Sequence, residues 1–155
     1  MHGNTPIRIV FVDTGNTGRS VTAAALARAL ITRDRRDARV SSRAVTVNPG
    51  HLHPEAHFVT LLRPRGIDTS AHVATAFGPS DAHETDLILT MTTAHKAWVL
   101  ARFPDTRGKV FTLSDYATGV AADVPDAFGE PMAFYEAVLL QLDRLVEIAI
   151  AKAAP

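Results

Sequence analysis

The feature that most constrains the fold is a strand, a glycine-containing turn and a helix that follow one another near the N-terminus. The residues from Ile7 to Val12 are mostly β-branched and apolar, which is typical of a buried parallel strand, and residues 21–30 form an Ala/Leu-rich helical run. The turn between them contains Gly15 and Gly18. Without a Cβ, glycine lets successive N–H groups point inward, above the positive end of the following helix. The segment therefore predicts an oxyanion-binding loop.

The sequence of this loop, from Asp13 to Ser20, matches neither of two common phosphate loops. The Walker pattern needs Gly-Lys-Ser/Thr and the dinucleotide fingerprint needs three spaced glycines, whereas this loop has only Gly-x-x-Gly. Its Arg19 is suited to holding two phosphate oxygens with a planar guanidinium. On spacing alone, an ordinary strand-to-helix connection is an alternative, with Asp13 as a turn residue and Ser20 as the helix N-cap.

Strands and helices alternate along the rest of the chain, which predicts an α/β fold with a parallel sheet. The expected strands are 7–12, 40–46, 86–91 and 109–112, and the expected helices are 20–33, 54–64, 93–102 and 131–152, with a short helix after Pro79. Ligands of such sheets bind outside the carboxyl ends of the strands, where the 13–20 loop emerges. We expect the Ala-rich tail 149–155 to fray.

The length and charge of the chain limit the number of domains and the kinds of partner that we expect. A chain of 155 residues suits one domain, 1–155. Sixteen basic and sixteen acidic side chains balance to a formal charge of zero, which argues against nucleic acid or an anionic membrane as a partner. Residues 1–6 lack the apolar core of a signal peptide, and no run reaches the roughly 18 apolar residues of a membrane span, so we expect a cytoplasmic protein.

The cysteine and histidine content of the chain gives little indication of a metal site or of redox chemistry. The chain has no cysteine, which excludes disulfides and thiol redox chemistry. His51, His53 and His57 are close in sequence, but their spacing suits no single helical face. Surface histidines are favoured over a metal site, and we expect no metal and no other cofactor.

The loop resembles the signature of the low-molecular-weight protein tyrosine phosphatases, Cys-x5-Arg-Ser after the first strand, at every position but the cysteine. Other segments are similar to that family in the family's order: Ser42, 48–50 ahead of 54–56, 66–68 with 70–72, 86–91 and 124–126. Nearly the whole chain is covered. The resemblance implies a three-layer fold, with a central four-stranded parallel sheet and helices on both faces.

The resemblance also implies catalytic roles. In the family, a cysteine thiolate attacks phosphorus, an arginine holds the phosphate oxygens and an aspartate protonates the leaving phenol. Asp13 occupies the place of the nucleophile, and Arg19 and Asp126 match the other two roles. Asp126 precedes Ala127 where the family has proline, and a plain turn residue is the alternative reading of Asp126.

Further residues match the parts of the family's site that bind phosphate and support the loop. Ser20 matches the hydroxyl that supports the nucleophile, and Asn16, Ser42 and His72 match the network that holds the loop. A wholly structural role is the alternative for His72. The matching pocket wall is Val47, with Phe128 as the main ring available to stack on a phenyl group. The expected phosphate-binding residues are Thr14, Gly15, Asn16, Thr17, Gly18, Arg19 and Ser20.

Asp13 decides the functional prediction. Its carboxylate is expected to accept inward N–H groups, to pair with Arg19, and to repel phosphate, since two like charges about 4 Å apart cost about 4 kcal/mol at an effective dielectric near 20. The first hypothesis is therefore a pseudophosphatase or binding module, with a phosphate-like oxyanion or a phosphoprotein as its partner. The sequence specifies no oligomeric state.

Two enzymatic hypotheses remain open. In the first, Asp13 is itself phosphorylated, with Asp126 as acid or base; such enzymes usually hold Mg²⁺, and no Asp-x-Asp follows the first strand. In the second, the chain is an inactive variant of a phosphatase that hydrolyses aryl or protein tyrosine phosphate, with an engineered or otherwise peculiar residue at position 13.

Overall fold

The computed structural model describes residues 5–155 and contains one four-stranded sheet, confirming the predicted α/β class. The strands lie in the order β2-β1-β3-β4, and every neighbouring pair is parallel. Their bounds are β1 (Ile7–Asp13), β2 (Ala38–Ala44), β3 (Leu87–Thr90) and β4 (Val110–Thr112). Because β1 and β3 are central, both are paired on their two edges.

The described helices follow the predicted alternation. Their bounds are α1 (Arg19–Asp34), α2 (Ala56–Leu62), α3 (Pro79–Glu84), α4 (Thr93–Arg102), α5 (Leu113–Thr118) and α6 (Met132–Ala153). Single turns of 3-10 helix lie at Arg63–Arg65 and Pro104–Thr106. Helix α5 was not predicted, because its six residues are too few to display a helical period. It follows β4 directly, and the Thr112 hydroxyl accepts the Asp115 N–H at 3.1 Å as its N-cap.

Alternate residues of β1 enter two separate cores. Ile9 and Phe11 pack with α1 and α6, whereas Val10 and Val12 pack with α4 and Phe77 on the other face. Side chains of a strand point alternately to the two faces of its sheet. The apolar run of β1 therefore buries both faces, and the expected three layers, with helices on each side of the sheet, are confirmed.

The expectation that the tail 149–155 frays is wrong. Helix α6 continues to Ala153, and Ala149 and Ile150 are buried in the core that α6 shares with α1. The Arg36 Nη1 group donates to the Ala154 carbonyl at 2.7 Å, which holds the end of the chain. Alanine has too little side chain to mark an apolar face in sequence, yet it suits close packing against another helix.

The strand order places the loop in a crevice. The chain leaves β1 toward β2 on one side and later enters β3 on the other, so the connections after β1 and β3 diverge at the carboxyl edge of the sheet. Crevices at such a change of direction are the usual ligand sites of parallel sheets. Within residues 5–155, no helix is long and apolar enough to cross a membrane.

Two leucines of α6 provide a matched test of the core. Leu142 is fully buried, whereas Leu140 is 67% exposed on the same helix. We expect Leu142→Ala to lower the free energy of unfolding by about 2–5 kcal/mol, because it removes buried methyl groups and leaves a cavity. Leu140→Ala should change it by no more than about 0.5 kcal/mol. Urea unfolding followed by circular dichroism measures both, and equal losses would contradict this packing.

Candidate functional site

The loop between β1 and α1 is closed by the side chain of Asp13. Its Oδ1 accepts the Asn16 N–H at 2.6 Å, and its Oδ2 accepts the Ser20 N–H at 2.8 Å. Only 2% of Asp13 is exposed, and its own carbonyl accepts the Val45 N–H at 2.9 Å. The sheet thus fixes the backbone of Asp13, and the carboxylate in turn fixes the loop.

Other N–H groups of the loop are not used in this way. Within residues 5–155, no acceptor receives a hydrogen bond from the N–H groups of Gly15, Thr17, Gly18 and Arg19. Asp13 therefore occupies part of the loop's donor set, and the remaining donors keep their capacity to bind an oxyanion.

Arg19 does not form the expected ion pair with Asp13 among the described residues. Arg19 is 5% exposed, and its guanidinium turns toward the segment after α5, where Nη1 donates to the Val124 carbonyl at 2.8 Å. Its Nη2 lies 3.8 Å from Asp126 Oδ2. The backbone already satisfies the Asp13 carboxylate, so the guanidinium is left to bridge the loop and the 124–126 segment.

Asp126 reaches the site from a turn. Its side chain is 59% exposed, its Oδ2 faces Arg19, and its Oδ1 accepts the Phe128 N–H at 3.0 Å. An aspartate that accepts the N–H two residues later stabilises a turn. Asp126 therefore has the contacts expected of a turn residue and also lies at the site.

Asn16 is the centre of the network that supports the loop. It has a φ of 59°, a conformation that asparagine tolerates better than most residues, and it is fully buried. Its Nδ2 donates to Ser20 Oγ at 2.9 Å, and its Oδ1 accepts the Thr75 N–H at 3.0 Å. His72 Nε2 donates to the Asn16 carbonyl at 2.8 Å, since a carbonyl can only accept. The structure thus brings Asn16, Ser20 and His72 together.

A pocket of about 230 Å³ opens in front of the loop, and we call it the front pocket. Phe128, at 58% exposure, forms part of its rim and packs edge-on against His51, with ring centroids 5.5 Å apart. The residues lining the front pocket are Asp13, Thr14, Gly15, Thr17, Gly18, Arg19, Thr46, Asn48, His51, Glu55, Asp126 and Phe128.

Two residues that were predicted to belong to the site, Val47 and Ser42, lie outside the front pocket. Val47 does not line the front pocket, although its neighbours Thr46 and Asn48 do, so it does not take the wall position expected of it. Ser42 is buried in β2 opposite Phe11, and within the described residues its hydroxyl makes no hydrogen bond to the loop. It lines a different cavity, which shares no residue with the front pocket.

Glu55 is a site residue that the sequence prediction missed. Its Oε1 accepts the Tyr135 hydroxyl at 2.6 Å, and its Oε2 accepts the Thr17 hydroxyl at 3.4 Å. The carboxylate fills space that glycine leaves, because a Cβ on Gly18 would overlap Glu55 Oε2. Burial, followed by the negative charges of Asp126 and Asp13, raises the pKa of Glu55. The resemblance of residues 54–56 to the phosphatase family was the sequence signal here, although it does not indicate these contacts.

His95, at the start of α4, is a second residue that was missed. Its Nδ1 accepts the Thr92 N–H at 3.2 Å, which assigns the proton to Nε2, and Nε2 donates to Thr14 Oγ1 at 2.9 Å. Burial, together with the positive charge of Arg19, lowers the pKa of His95, so the ring is a neutral donor at neutral pH. The helix-capping pattern from Thr92 to His95, directly after β3, is the signal that could have identified it.

The charged side chains that line the front pocket are mainly acidic. Its lining carries three carboxylates, those of Asp13, Glu55 and Asp126, and one guanidinium, that of Arg19. Because like charges repel strongly at the reduced dielectric of a pocket, these carboxylates oppose the binding of a dianion, whereas Arg19 and the remaining N–H groups of the loop favour it.

Comparisons with known proteins agree with this arrangement of loop and sheet. The sequence profile described as "Low molecular weight phosphotyrosine protein phosphatase" matches residues 8–152. A protein-arginine-phosphatase of Geobacillus stearothermophilus is 34% identical over 142 residues, which cover 92% of this chain and 93% of that protein. One from Bacillus subtilis is 36% identical over 139 residues, covering 89% and 91%.

A solved structure is similar over nearly its whole length. The low molecular weight protein tyrosine phosphatase from T. tengcongensis superposes with a TM-score of 0.88 at 31% identity, covering 94% of this chain and 99% of that one.

The contact between Gly18 and Glu55 can be tested with a matched pair of glycines. Gly18→Ala should lower the free energy of unfolding by about 1 kcal/mol, because the new Cβ must displace the Glu55 carboxylate. Gly15→Ala is the control, since its Cβ would meet nothing within 4 Å and its φ is not left-handed. Denaturant unfolding measures both, and equal effects would contradict the placement of Glu55.

The raised pKa of Glu55 predicts how stability depends on pH. A carboxyl group whose pKa is higher in the folded state binds its proton more tightly there, so its favourable contribution is present at acidic pH and is lost as the pH rises through the folded pKa. Glu55→Gln should therefore raise the free energy of unfolding at pH 7 relative to wild type, and the difference should shrink toward pH 4. Exposed Glu136→Gln is the control. A pH-independent loss of stability in Glu55→Gln would contradict the prediction.

Proposed function

Since the chain belongs to the low molecular weight phosphotyrosine protein phosphatase family, we propose that it is a phosphatase-like binding protein that does not hydrolyse phosphate esters through a thiol. Asp13 stands where the family signature has its cysteine, and the chain has no cysteine at all. One observation carries the proposal: the Asp13 carboxylate accepts the N–H groups of Asn16 and Ser20 within its own loop.

A carboxylate held in this way is a weak nucleophile. Both of its oxygens accept backbone hydrogen bonds, and its 2% exposure leaves little room for attack on phosphorus. A route through phosphorylated Asp13 is less favoured for the same reasons, because phosphorylation would have to break at least one of these bonds.

Electrostatic repulsion weakens phosphate binding as well. One like charge about 4 Å from Asp13 costs about 4 kcal/mol at an effective dielectric near 20, and a dianion about doubles this. Arg19 offsets only part of the repulsion, because its guanidinium is shared with the Val124 carbonyl and Asp126. Glu55 adds a further carboxylate to the same pocket.

The ligand that suits this pocket is a cationic side chain, and an arginine of a partner protein is the best candidate. Curated relatives act on protein-bound phosphoarginine, as their name protein-arginine-phosphatase says. In this chain, a planar guanidinium would meet the carboxylates of Glu55 and Asp126 and could stack on Phe128 at the rim. The pocket would then bind the side chain without its phosphate.

A reversal of ligand preference tests the proposal. Wild type should bind Nα-acetyl-arginine amide more tightly than inorganic phosphate, whose Kd should be weaker than about 1 mM. Asp13→Ser should bind phosphate at least about tenfold more tightly, because it removes the charge that repels the anion. Isothermal titration calorimetry measures both ligands, with Glu136→Gln as a control that removes one exposed carboxylate elsewhere. Sub-millimolar phosphate binding by wild type would contradict the proposal.

Turnover assays separate the enzymatic alternatives. Wild type should release no phosphate from para-nitrophenyl phosphate or from a phosphoarginine peptide, with or without Mg²⁺, and metal-dependent turnover lost in Asp13→Asn would support the aspartyl route instead. Strong activity of Asp13→Cys would show that Arg19 and Asp126 are still competent and would favour the inactive variant of an active phosphatase. If Asp13→Cys shows no activity, the result would favour a pocket adapted to binding alone.

A further inference from the structure

A second and larger cavity lies against α1, and we call it the rear cavity. Its volume is about 660 Å³, within the range of small-molecule sites, and it shares no residue with the front pocket. One wall is a single face of α1 that includes Val21, Ala25 and Arg28; the segment 66–72 and Ser42 of β2 complete it. Neither the resemblance to phosphatases nor the proposed function gives this cavity a role.

The lining combines apolar surface with excess positive charge. Val21 and Ala25 contribute apolar side chains, while the charged groups are two guanidiniums, Arg28 and Arg33, and one carboxylate, Asp68. Arg33 is paired with Asp34 through two hydrogen bonds of 2.8 and 3.0 Å. The Asp68 carboxylate accepts the Ser70 N–H at 2.9 Å.

Arg28 is the charged group left to bind a ligand. No carboxylate among residues 5–155 forms an ion pair with it, and its Nη2 makes one long hydrogen bond, 3.3 Å, to the Val40 carbonyl. A guanidinium presents five donors in a rigid fork that matches a carboxylate. Arg28 therefore has most of its donors available at the edge of an apolar cavity.

Thr69 adds an unsatisfied polar group. It is buried and lines the rear cavity, and its hydroxyl is a buried side-chain group with no hydrogen-bond partner in the described part of the chain. Leaving a buried hydroxyl without a partner is unfavourable. A ligand oxygen that came within hydrogen-bond distance would give this hydroxyl a partner.

His72 connects the rear cavity to the loop. It lines the cavity, and its Nε2 donates to the Asn16 carbonyl at 2.8 Å. The N–H of Asn16 in turn donates to Asp13. Val21, which also lines the cavity, directly follows Ser20 at the end of the loop. A ligand here would therefore touch residues that are one hydrogen bond or one peptide bond from the loop.

We propose that the rear cavity binds a small organic carboxylate with an apolar body, and that its occupancy is transmitted to the 13–20 loop through His72. The apolar part packs against Val21 and Ala25, and the carboxylate pairs with Arg28. Because coupling between sites is reciprocal, a ligand of the front pocket also alters affinity at the rear cavity.

A matched set of probes tests the chemistry of the site. Indole-3-acetate, indole-3-acetamide and tryptamine share one ring system and differ in charge. By ¹⁵N-resolved NMR titration, indole-3-acetate should bind with a Kd of about a millimolar or tighter and shift the amide resonances of Ala25 and Thr69. The amide and the amine should bind more weakly. Equal affinity of the three probes, or no binding of indole-3-acetate at 10 millimolar probe, would overturn the proposal.

Two variants and a control locate the site. Arg28→Gln should weaken indole-3-acetate about fivefold or more and leave indole-3-acetamide unchanged, whereas exposed Arg107→Gln should affect neither. Ala29→Phe should abolish binding of both, because its ring fills the cavity from an exposed helix position. Unchanged binding in Ala29→Phe would overturn the location.

The Asn16 amide reports the coupling. Its resonance should move with those of Ala25 and Thr69, with the same dependence on probe concentration. An unmoved Asn16 resonance in a protein that binds the probe would overturn transmission to the loop. These measurements do not involve phosphate, arginine or turnover, so their failure is distinguishable from failure of the proposed function.

Discussion

Two hydrogen bonds from the Asn16 and Ser20 N–H groups to the Asp13 carboxylate are the contacts on which the site depends. They let the loop close on a group of its own chain, since the backbone supplies donors that an anion would otherwise use. Once Asp13 is satisfied by the backbone, Arg19 is directed to Val124 and Asp126. The arginine thus joins the loop to the 124–126 segment and does not pair with Asp13.

The second feature of the site is the negative charge of the side chains that line the front pocket. Glycine at position 18 leaves space that the Glu55 carboxylate occupies, with Tyr135 and Thr17 as its donors. A fold suited to anions therefore presents a lining in which carboxylates outnumber the guanidinium. Asp13 and Glu55 both add negative charge to the pocket, and this is the basis of the proposed preference for a cationic partner.

The sequence predicts those elements that depend on neighbouring residues, but it does not predict contacts between residues that are distant along the chain. The apolar run of β1 and the spacing of Gly15 and Gly18 predicted the strand and loop, because both depend on neighbouring residues. Glu55 and His95 were missed, since each reaches the loop from a position about 40 or 80 residues away along the chain. The fraying expected for residues 149–155 was wrong, because the packing of alanines at the end of α6 depends on the surface of α1.

The sequence by itself determined the α/β fold, the family and the presence of a carboxylate at the loop's first position, because strand periodicity, motif spacing and residue identity are local properties. The tertiary structure determined which groups the charged side chains contact. It turned Arg19 from Asp13 toward Asp126, brought Glu55 against Gly18, and opened a cavity beside Arg28. Charge pairing and burial depend on distances in space, and those distances are set only when the sheet and both helical layers have packed.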